Sequence, residues 1–438
     1  MPPKVYLQQN VYDAAQDRLK YVFDEFDNII VAFSGGKDSG LLLNLVVDYA
    51  AKHGIKKRIG LFHQDFEAQF QLTTDFVYET FEKHADKMDC YWSCIPMAVR
   101  TAVGNTEAWW YPWDDQHPEL WVRDMPQKPY VYNISNHPMG EMYQYRMDYH
   151  SHARAFNQWY HQTHGGERTI TLLGIRTNES LNRFYSVTNK VHDYRGRKWI
   201  TDEGNGVYSA SPLYDWTVED VWHCNAVNGY EYNRLYDMFY KAGVPLSKMR
   251  VASPFNDEAA NTINLYRVLD APMWAKIVGR VKGANFASIY GGTKAMGWHK
   301  IQLPQGHTWR SYVKFLLSTL PEETRNRYVE KFTTSLKFWR KQGGCFSDDI
   351  ISEIESCGYD IARNGESKQS KNSKTKIVFH GNIPDDTDDV KSTRDIPSWK
   401  RMAIVILKND HTCKTMGFGM TKQQNDRRKE IVKKYATL

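Results

Sequence analysis

A run of small and charged residues near the amino end, Ser34-Gly35-Gly36-Lys37-Asp38-Ser39, has the composition of a phosphate-binding loop. Glycines let backbone N–H groups approach phosphate oxygens, and the start of a following helix adds partial positive charge. The hydroxyls of Ser34 and Ser39 can donate hydrogen bonds, and Lys37 can neutralise negative charge. The run lacks the Gly-x-x-x-x-Gly-Lys-Ser/Thr spacing of the Walker A loop, so this short turn predicts a grip on a pyrophosphate.

Asp38 is the member of this run whose charge does not suit a phosphate. A carboxylate beside phosphates repels them unless it bonds to backbone amides or holds a cation such as Mg²⁺. We therefore expect Asp38 to have either a structural role or a role as a magnesium ligand.

Strand and helix patterns alternate around the run, as a doubly wound parallel sheet requires. A buried strand is predicted at 29–33, directly before the loop, and a buried helix over 41–47 follows it. A second strand is predicted at 58–63, a helix at 72–84 and a third strand at 90–95. The expected fold class is α/β, with a mainly parallel, doubly wound sheet.

The later part of the chain is predicted to be mainly helical. A helix over 142–161 precedes a further strand at 169–174, and Thr217 with Asp220 matches a capping box. Helical spacing then recurs in several segments: 261–269, 274–281, 309–320, 321–341 and 399–407. We expect the following parts: an α/β domain at 1–250 with an aromatic insertion near 105–135, a helical region at 251–363, a flexible linker or loop at 364–396, and a helical segment at 397–438. The insertion either lies beside the site or packs on itself over the sheet edge.

Composition sets broad limits on the class of protein. The 57 Lys and Arg residues exceed the 51 Asp and Glu residues, a mild basic bias that suits anionic small molecules and permits nucleic acid. The six cysteines are scattered and the amino terminus lacks a secretory pattern, which favours a reducing cytosol. No apolar stretch approaches the roughly 18 residues that a membrane helix needs. A cytoplasmic protein without a membrane segment is therefore expected.

Four motifs resemble the PAPS reductase family, within the adenine-nucleotide α-hydrolase-like superfamily whose phosphate loop is called the PP-loop. In chain order they are SGGKDS, LFHQDFEAQFQLTTDF, GIRTNESLNR and SPLYDWTVEDVW, all within residues 29–222. The resemblance implies that Asp65 lies near the ribose or adenine. It also implies that the loop binds the phosphates through Ser34, Gly35, Gly36, Lys37, Asp38 and Ser39.

Two arginines in the third motif have a rationale of their own. A guanidinium group binds phosphate or sulfate oxygens through two parallel hydrogen bonds, and Arg176 follows a strand end, where open α/β sheets bind ligands. We expect Arg176 and Arg183 to bind the nucleotide, and Lys37, Asp38 and Arg176 to be the catalytic candidates. The alternative for each arginine is a structural ion pair, with Glu179 as a partner.

The segment IPSWKRMAIVILKNDHTCK near the carboxyl end is similar to a bacterial and phage subgroup that has a C-terminal domain of unknown function. The immunoglobulin-binding regulator A proteins belong to that subgroup. This resemblance implies a fold and leaves the reaction open.

Three functions are compatible with these features, and all use an adenine nucleotide. The first is an enzyme that breaks the α–β phosphate bond of ATP with Mg²⁺. The second is a PAPS or APS reductase or a sulfur-transfer enzyme, although the family's Glu-Cys-Gly-Leu/Ile-His tail is missing and no cysteine pattern for an iron–sulfur cluster is present. The third is a nucleotide-sensing regulator that binds nucleic acid or a protein partner through a basic tail, which comprises Lys422, Arg427, Arg428, Lys429, Lys433 and Lys434.

Overall fold

The computed structural model describes residues 7–104, 108–188, 193–256, 263–285, 287, 303–320, 322–366, 374–393, 395–408 and 410–418. The chain divides into two compact units. Unit 1 comprises Met1–Val99 and Trp110–Arg280, and unit 2 comprises Arg100–Trp109 and Val281–Leu438. The candidate site lies within unit 1.

Unit 1 contains an eight-stranded sheet with the order β6-β3-β2-β1-β7-β10-β9-β8. The pairs from β6 to β10 are parallel, and β9 and β8 complete the sheet as antiparallel strands. The strands of the amino-terminal 210 residues are β1 Asn28–Ala32, β2 Gly60–Gln64, β3 Asp89–Ser93, β4 Val99–Arg100, β5 Trp109–Trp110, β6 Val131–Tyr132, β7 Thr169–Leu172, β8 Asp193–Tyr194, β9 Arg197–Gly204 and β10 Val207–Ala210. The expected α/β fold with a mainly parallel sheet is confirmed.

The helices of unit 1 cover both faces of this sheet. Successive side chains of a strand point to opposite faces. Ile29 and Val31 of β1 accordingly join one hydrophobic cluster, and Ile30 joins another. The helices are α1 Val11–Glu25, α2 Lys37–Lys52, α3 Gln71–His84, α4 Tyr149–His164, α5 Leu181–Thr188, α6 Val218–Asn228, α7 Leu235–Lys241, α8 Tyr266–Leu269 and α9 Ala271–Arg280. The first cluster includes residues of α1, α2, α3 and α6, and the second includes residues of α4. The sheet is therefore doubly wound.

Local sequence features account for several helix ends. The predicted capping box of Thr217 and Asp220 is present at the start of α6. The helix predicted over 142–161 begins later, because the Asp148 side chain accepts hydrogen bonds from His150 N and Ser151 N and so caps α4. Of the helices that the structure describes, none has both the length and the apolar character needed to cross a bilayer.

The direction in which successive strands are added to the sheet reverses at β1. β1 pairs with β2 on one side and with β7 on the other, so that Ile30 is in register with Gly60 and with Thr171. Because these strands are parallel, the loops that follow β1 and β7 meet at the same edge of the sheet. Such a switch point is where open α/β sheets bind ligands.

Unit 2 contains helices and a three-stranded antiparallel sheet of order β11-β13-β12. The elements are α10 Trp309–Thr319, α11 Glu322–Lys341, β11 Gly344–Phe346, α12 Asp348–Ser356, β12 Ile361–Glu366, β13 Thr375–Phe379 and α13 Trp399–Leu407. The last helix has the predicted bounds. The linker predicted at 364–396 is wrong for β13, whose Ile377 and Phe379 are buried in a hydrophobic cluster with Trp339. The apolar run Ile377-Val378-Phe379 is only three residues long and lies between charged, polar stretches, so it did not stand out as a strand. Residues 367–373, Pro321 and the basic tail at 422–434 lie outside the described residues.

Candidate functional site

The run Ser34–Ser39 connects β1 to α2 at the switch point. Gly35 adopts φ +73°, and Asn233 Nδ2 donates a hydrogen bond to its carbonyl at 3.0 Å. A Cβ atom on Gly35 would lie 2.8 Å from Val77 Cγ2. Both the backbone angle and the lack of space therefore require glycine here.

Gly36 is the N-cap of α2 and has no side chain to satisfy the first amides of the helix. A Cβ on Gly36 would lie 3.3 Å from Ser34 Oγ and 3.5 Å from Tyr236 Oη, so two hydroxyls border the space above this glycine. Lys37 N donates to Tyr236 Oη at 3.0 Å. Ser34 is exposed, and its Oγ lies 3.0 Å from the Oγ of buried Ser39. The accessible part of the run is thus its first residue and the space above Gly36.

Lys37, Asp38 and Arg176 form a buried charged cluster at the first turn of α2. Lys37 Nζ lies 3.0 Å from Asp38 Oδ2, and Arg176 Nε lies 2.5 Å from Asp38 Oδ1. Both Lys37 and Arg176 are only 4% exposed. Burial alone would raise the pKa of Asp38, but the charges of Lys37 and Arg176 outweigh it and lower the pKa below its ordinary value. The cluster carries one negative and two positive charges.

The surroundings of Asp38 do not fit a magnesium ion. Each oxygen of its carboxylate already accepts a hydrogen bond from a cationic side chain. A metal ion there would face two positive charges at contact distance. Within the part of the chain that the structure describes, there is also no group of three His, Cys, Asp or Glu side chains that could hold a metal.

Glu179 links the two candidate arginines. Arg183 Nη1 forms an ion pair with Glu179 Oε2, and Arg176 Nη2 lies 3.7 Å from Glu179 Oε1. The Arg183 side chain is 38% exposed, whereas Arg176 is buried. The ion pair with Glu179 that was the alternative for each arginine is therefore formed by both, and Arg176 is the one that also reaches the loop.

Gly174 lies in the loop that follows β7 and was not among the predicted site residues. A Cβ on Gly174 would lie 2.7 Å from Ser39 N and 2.8 Å from the carbonyl carbon of Asp38. The first turn of α2 therefore packs directly on the end of β7, which places Arg176 beside Asp38. A glycine at the end of the predicted strand 169–174, two residues before a candidate arginine, was the available sequence clue.

Asp65 lies at the carboxyl end of β2 and is completely buried. Its oxygens accept hydrogen bonds from Trp92 Nε1 at 2.7 Å, from Glu67 N at 2.7 Å and from Arg123 Nη2. Burial alone would raise the pKa of Asp65, but the charge of Arg123 and that of His63 outweigh it and lower the pKa. Asp65 therefore binds groups of the protein itself.

Glu67 organises the aromatic segment and was missed by the sequence analysis. It adopts φ +61° and is completely buried. Its carboxylate accepts from Trp113 N at 2.7 Å, from Val122 N at 3.1 Å and from Arg280 Nε at 2.9 Å. The segment between Trp113 and Val122 is thus fixed to the carboxyl end of β2. The only clue in the sequence was an acidic residue two positions after Asp65.

Comparison with known proteins identifies a family rather than an activity. The chain is 30% identical over 432 residues to the "Uncharacterized protein YbdN" of Escherichia coli strain K12, with 97% of this chain and 94% of that protein covered. The chain belongs to the family of YbdN. Residues 243–427 match the family model described as "Domain of unknown function (DUF3440)". The expectation of a C-terminal domain of unknown function is confirmed.

Solved structures with some similarity include two nucleotide enzymes. An FMN adenylyltransferase of Candida glabrata in complex with FAD and inorganic pyrophosphate is 14% identical, with a TM-score of 0.30, over 53% of this chain and 64% of that chain. A PAPS reductase of Candida auris in a phosphate complex is 16% identical, with a TM-score of 0.29, over 54% of this chain and 94% of that chain. The chain spans just under two thirds of the adenylyltransferase. Similarity at this level carries no argument about activity.

Proposed function

We propose that the protein binds an adenine nucleotide at the switch point through Ser34–Ser39 and breaks the α–β phosphate bond of ATP. An oxygen of a second substrate or of water then takes the adenylyl group, and pyrophosphate leaves. The observation that supports this most is the junction of the loops after β1 and β7, where Arg176 Nε lies 2.5 Å from Asp38 Oδ1 in the first turn of α2. Two loops from adjacent parallel strands thereby supply a glycine-lined space, hydroxyl groups and two cations at one position.

The charges of this cluster suit a reaction at phosphates. Transfer reactions at phosphorus need mainly positioning and stabilisation of negative charge, with little covalent help from the protein. Lys37 and Arg176 supply two positive charges against one negative charge on Asp38. A phosphate that enters the site competes with Asp38 for these two cations. Asp38 is then a positioning residue that holds both cations in place before the nucleotide arrives.

The cysteines favour cleavage of ATP as the function over thiol-dependent reduction of a sulfonucleotide. The nucleophilic form of cysteine is the thiolate, which a high pKa disfavours. Among the described cysteines of unit 1, burial raises the pKa of Cys90 to about 12 and raises the pKa values of Cys94 and Cys224. Cys345, Cys357 and Cys413 belong to unit 2. No described thiol of the site's own unit is therefore activated.

ATP binding and turnover by the full chain test the proposal. We would incubate the protein with ATP labelled at the α-phosphate, measure the dissociation constant by calorimetry, and assay release of pyrophosphate. Lys37→Met keeps most of the buried hydrocarbon and removes the charge, so ATP should bind about ten- to a hundredfold more weakly, the value of a charge-assisted hydrogen bond. Lys52→Met, at the exposed last turn of α2, is the matched control and should bind ATP like the wild type.

Two results contradict the proposal. Equal ATP affinity in Lys37→Met and the wild type would remove the loop from the binding site. Sulfite release from PAPS with a dithiol, in the absence of pyrophosphate release from ATP, would favour the reductase instead.

A further inference from the structure

Two hydroxyl groups from distant parts of the chain border the space above Gly36, which is the position that a Cβ atom of this residue would occupy. One belongs to Ser34 of the loop itself, and the other belongs to Tyr236 of α7. The missing Cβ of Gly36 would lie within 3.5 Å of the hydroxyl oxygen of each.

The position of Tyr236 is fixed from several directions. Asn233, which is completely buried, donates through Nδ2 to Gly35 O at 3.0 Å and to Thr73 Oγ1 at 2.9 Å, and accepts from Leu235 N at 3.0 Å. The Tyr236 ring packs edge-on against Trp222, with centroids 5.3 Å apart. The start of α7 is thereby attached to the loop, which leaves the hydroxyl little freedom.

The hydroxyl of Tyr236 is used as a hydrogen-bond acceptor, but its own proton is available for donation. Its oxygen accepts from Lys37 N at 3.0 Å, and among the described residues no acceptor for its own proton is found. Burial raises the pKa of the phenol, so the group keeps that proton over the physiological range. The side chain is 3% exposed, and its hydroxyl end is the part that reaches the space above Gly36.

We propose that Tyr236 is a binding residue for the diphosphate of the ligand, donating its hydroxyl proton to a non-bridging phosphate oxygen that lies above Gly36. Ser34 Oγ borders the same space and is the second hydroxyl donor. The first amide of α2 then acts on the phosphate through the tyrosine, because Lys37 N–H donates to Tyr236 Oη and polarises its O–H bond. This inference rests on the proposed function and names the diphosphate group as the part of the ligand that this contact recognises.

A pair of tyrosine variants on one helix tests the contact. Tyr236→Phe removes the hydroxyl and keeps the ring against Trp222, whereas Tyr240→Phe changes a side chain that is 71% exposed on the same helix. The dissociation constants of inorganic pyrophosphate and of ATP would be measured by calorimetry on the full chain. Tyr236→Phe should weaken both about two- to tenfold, the value of one neutral hydrogen bond, and Tyr240→Phe should weaken neither.

Filling the space gives a second and independent test. Gly36 has φ −85°, which alanine also adopts, and the nearest contact of its Cβ is the end of the Ser34 side chain. Gly36→Ala should therefore fold, with a melting temperature near that of the wild type, and should lose pyrophosphate binding more than tenfold. If Gly36→Ala folds and still binds pyrophosphate like the wild type, the ligand does not lie above Gly36 and the inference is overturned.

The remaining outcomes separate this inference from the proposed function. If the wild type binds pyrophosphate and ATP and Tyr236→Phe binds them equally well, Tyr236 does not contact the ligand and the proposed function stands. A Tyr236→Phe variant with a lower melting temperature and unchanged dissociation constants identifies Tyr236 as a structural cap of α2, which also overturns the inference. A folded wild type that binds neither ligand removes both proposals.

Discussion

Asp38 and Glu67 are buried carboxylates at the carboxyl edge of the central sheet, and they are held in different ways. The oxygens of Asp38 accept from Lys37 Nζ and Arg176 Nε, which are the ends of two long side chains. The oxygens of Glu67 accept from two backbone N–H groups and from Arg280. Each carboxylate compensates buried positive charge, but only Glu67 is bound to the main chain of another segment.

This difference separates an exchangeable partner from a structural one. In the proposed function a bound phosphate competes with Asp38 for Lys37 and Arg176, which contact Asp38 only through side chains. The amides that donate to Glu67 cannot leave it unless the backbone at Trp113 and Val122 moves. Glu67 also holds a left-handed backbone conformation at φ +61°, which costs free energy and persists only where the surroundings enforce it. We infer that Glu67 maintains the fold and that Asp38 maintains the site.

The largest effect is expected at Glu67. Glu67→Ala leaves the buried charge of Arg280 without its partner and two amides without acceptors, so the free energy of unfolding should fall by about 3–5 kcal/mol. Glu79→Ala, at an exposed position of α3, should change it by less than about 0.5 kcal/mol. Urea unfolding of both variants measures the difference. A loss below about 1 kcal/mol for Glu67→Ala would mean that the ion pair between Glu67 and Arg280 contributes little to the free energy of unfolding.

Substitution of Asp38 should cause a smaller loss of stability than that of Glu67, and it should also change how the protein responds to ligand. Asp38→Asn keeps an acceptor for Arg176 and removes the negative charge, so unfolding should become easier by about 2–3 kcal/mol. Pyrophosphate supplies negative charge to the same two cations. It should therefore raise the melting temperature of Asp38→Asn more than that of the wild type, which thermal unfolding with and without pyrophosphate measures. An equal rise in both proteins would contradict exchange between Asp38 and a phosphate.

The pH dependence of stability should reflect the same ion pairs. The pKa values of Asp38 and Asp65 are lowered in the folded chain by Lys37, Arg176 and Arg123 against the opposing effect of burial. The unfolded chain therefore binds more protons in the acidic range, and stability rises with pH there. The contribution is complete above the ordinary aspartate pKa of about 3.9 and is lost as the pH falls through the lowered values. Urea unfolding from pH 6 downward should show this loss, with a shallower dependence in Asp65→Asn.

Local patterns sufficed to predict the frame of the site. The apolar run before Ser34 specifies β1, and the Thr217–Asp220 capping box specifies the start of α6 within four residues. The helix Trp399–Leu407 likewise has the predicted bounds, because its apolar face and its Ser398 cap are adjacent in sequence. The apolar pattern at 169–174 likewise predicted the strand that Arg176 follows.

Contacts between distant segments could not be predicted in this way. Tyr236 lies 199 residues from the Lys37 amide that it caps, and Arg280 lies 213 residues from Glu67. Neither residue has a local pattern that distinguishes it from an ordinary helix residue. Only the folded chain shows that α7 contacts the loop Ser34–Ser39 and that α9 holds the aromatic segment. Because of that topology the Lys37 amide at the start of α2 donates to the hydroxyl of Tyr236, whereas the sequence predicted backbone amides that approach the phosphate themselves.

The smallest effect is expected at Arg183, and it tests whether the ion pair of Arg183 persists when ligand binds. The chemistry of its guanidinium group predicted that Arg183 binds the nucleotide, but this group is engaged by Glu179 and the side chain is 38% exposed. Exposed ion pairs contribute about 0–1 kcal/mol, so Arg183→Ala should leave both the free energy of unfolding and the ATP dissociation constant nearly unchanged. Arg176→Ala, in contrast, removes a buried cation of the cluster and should weaken ATP at least tenfold. A comparable loss of ATP affinity in Arg183→Ala would mean that Arg183 leaves Glu179 for the phosphates, and the site would then include both arginines of the motif.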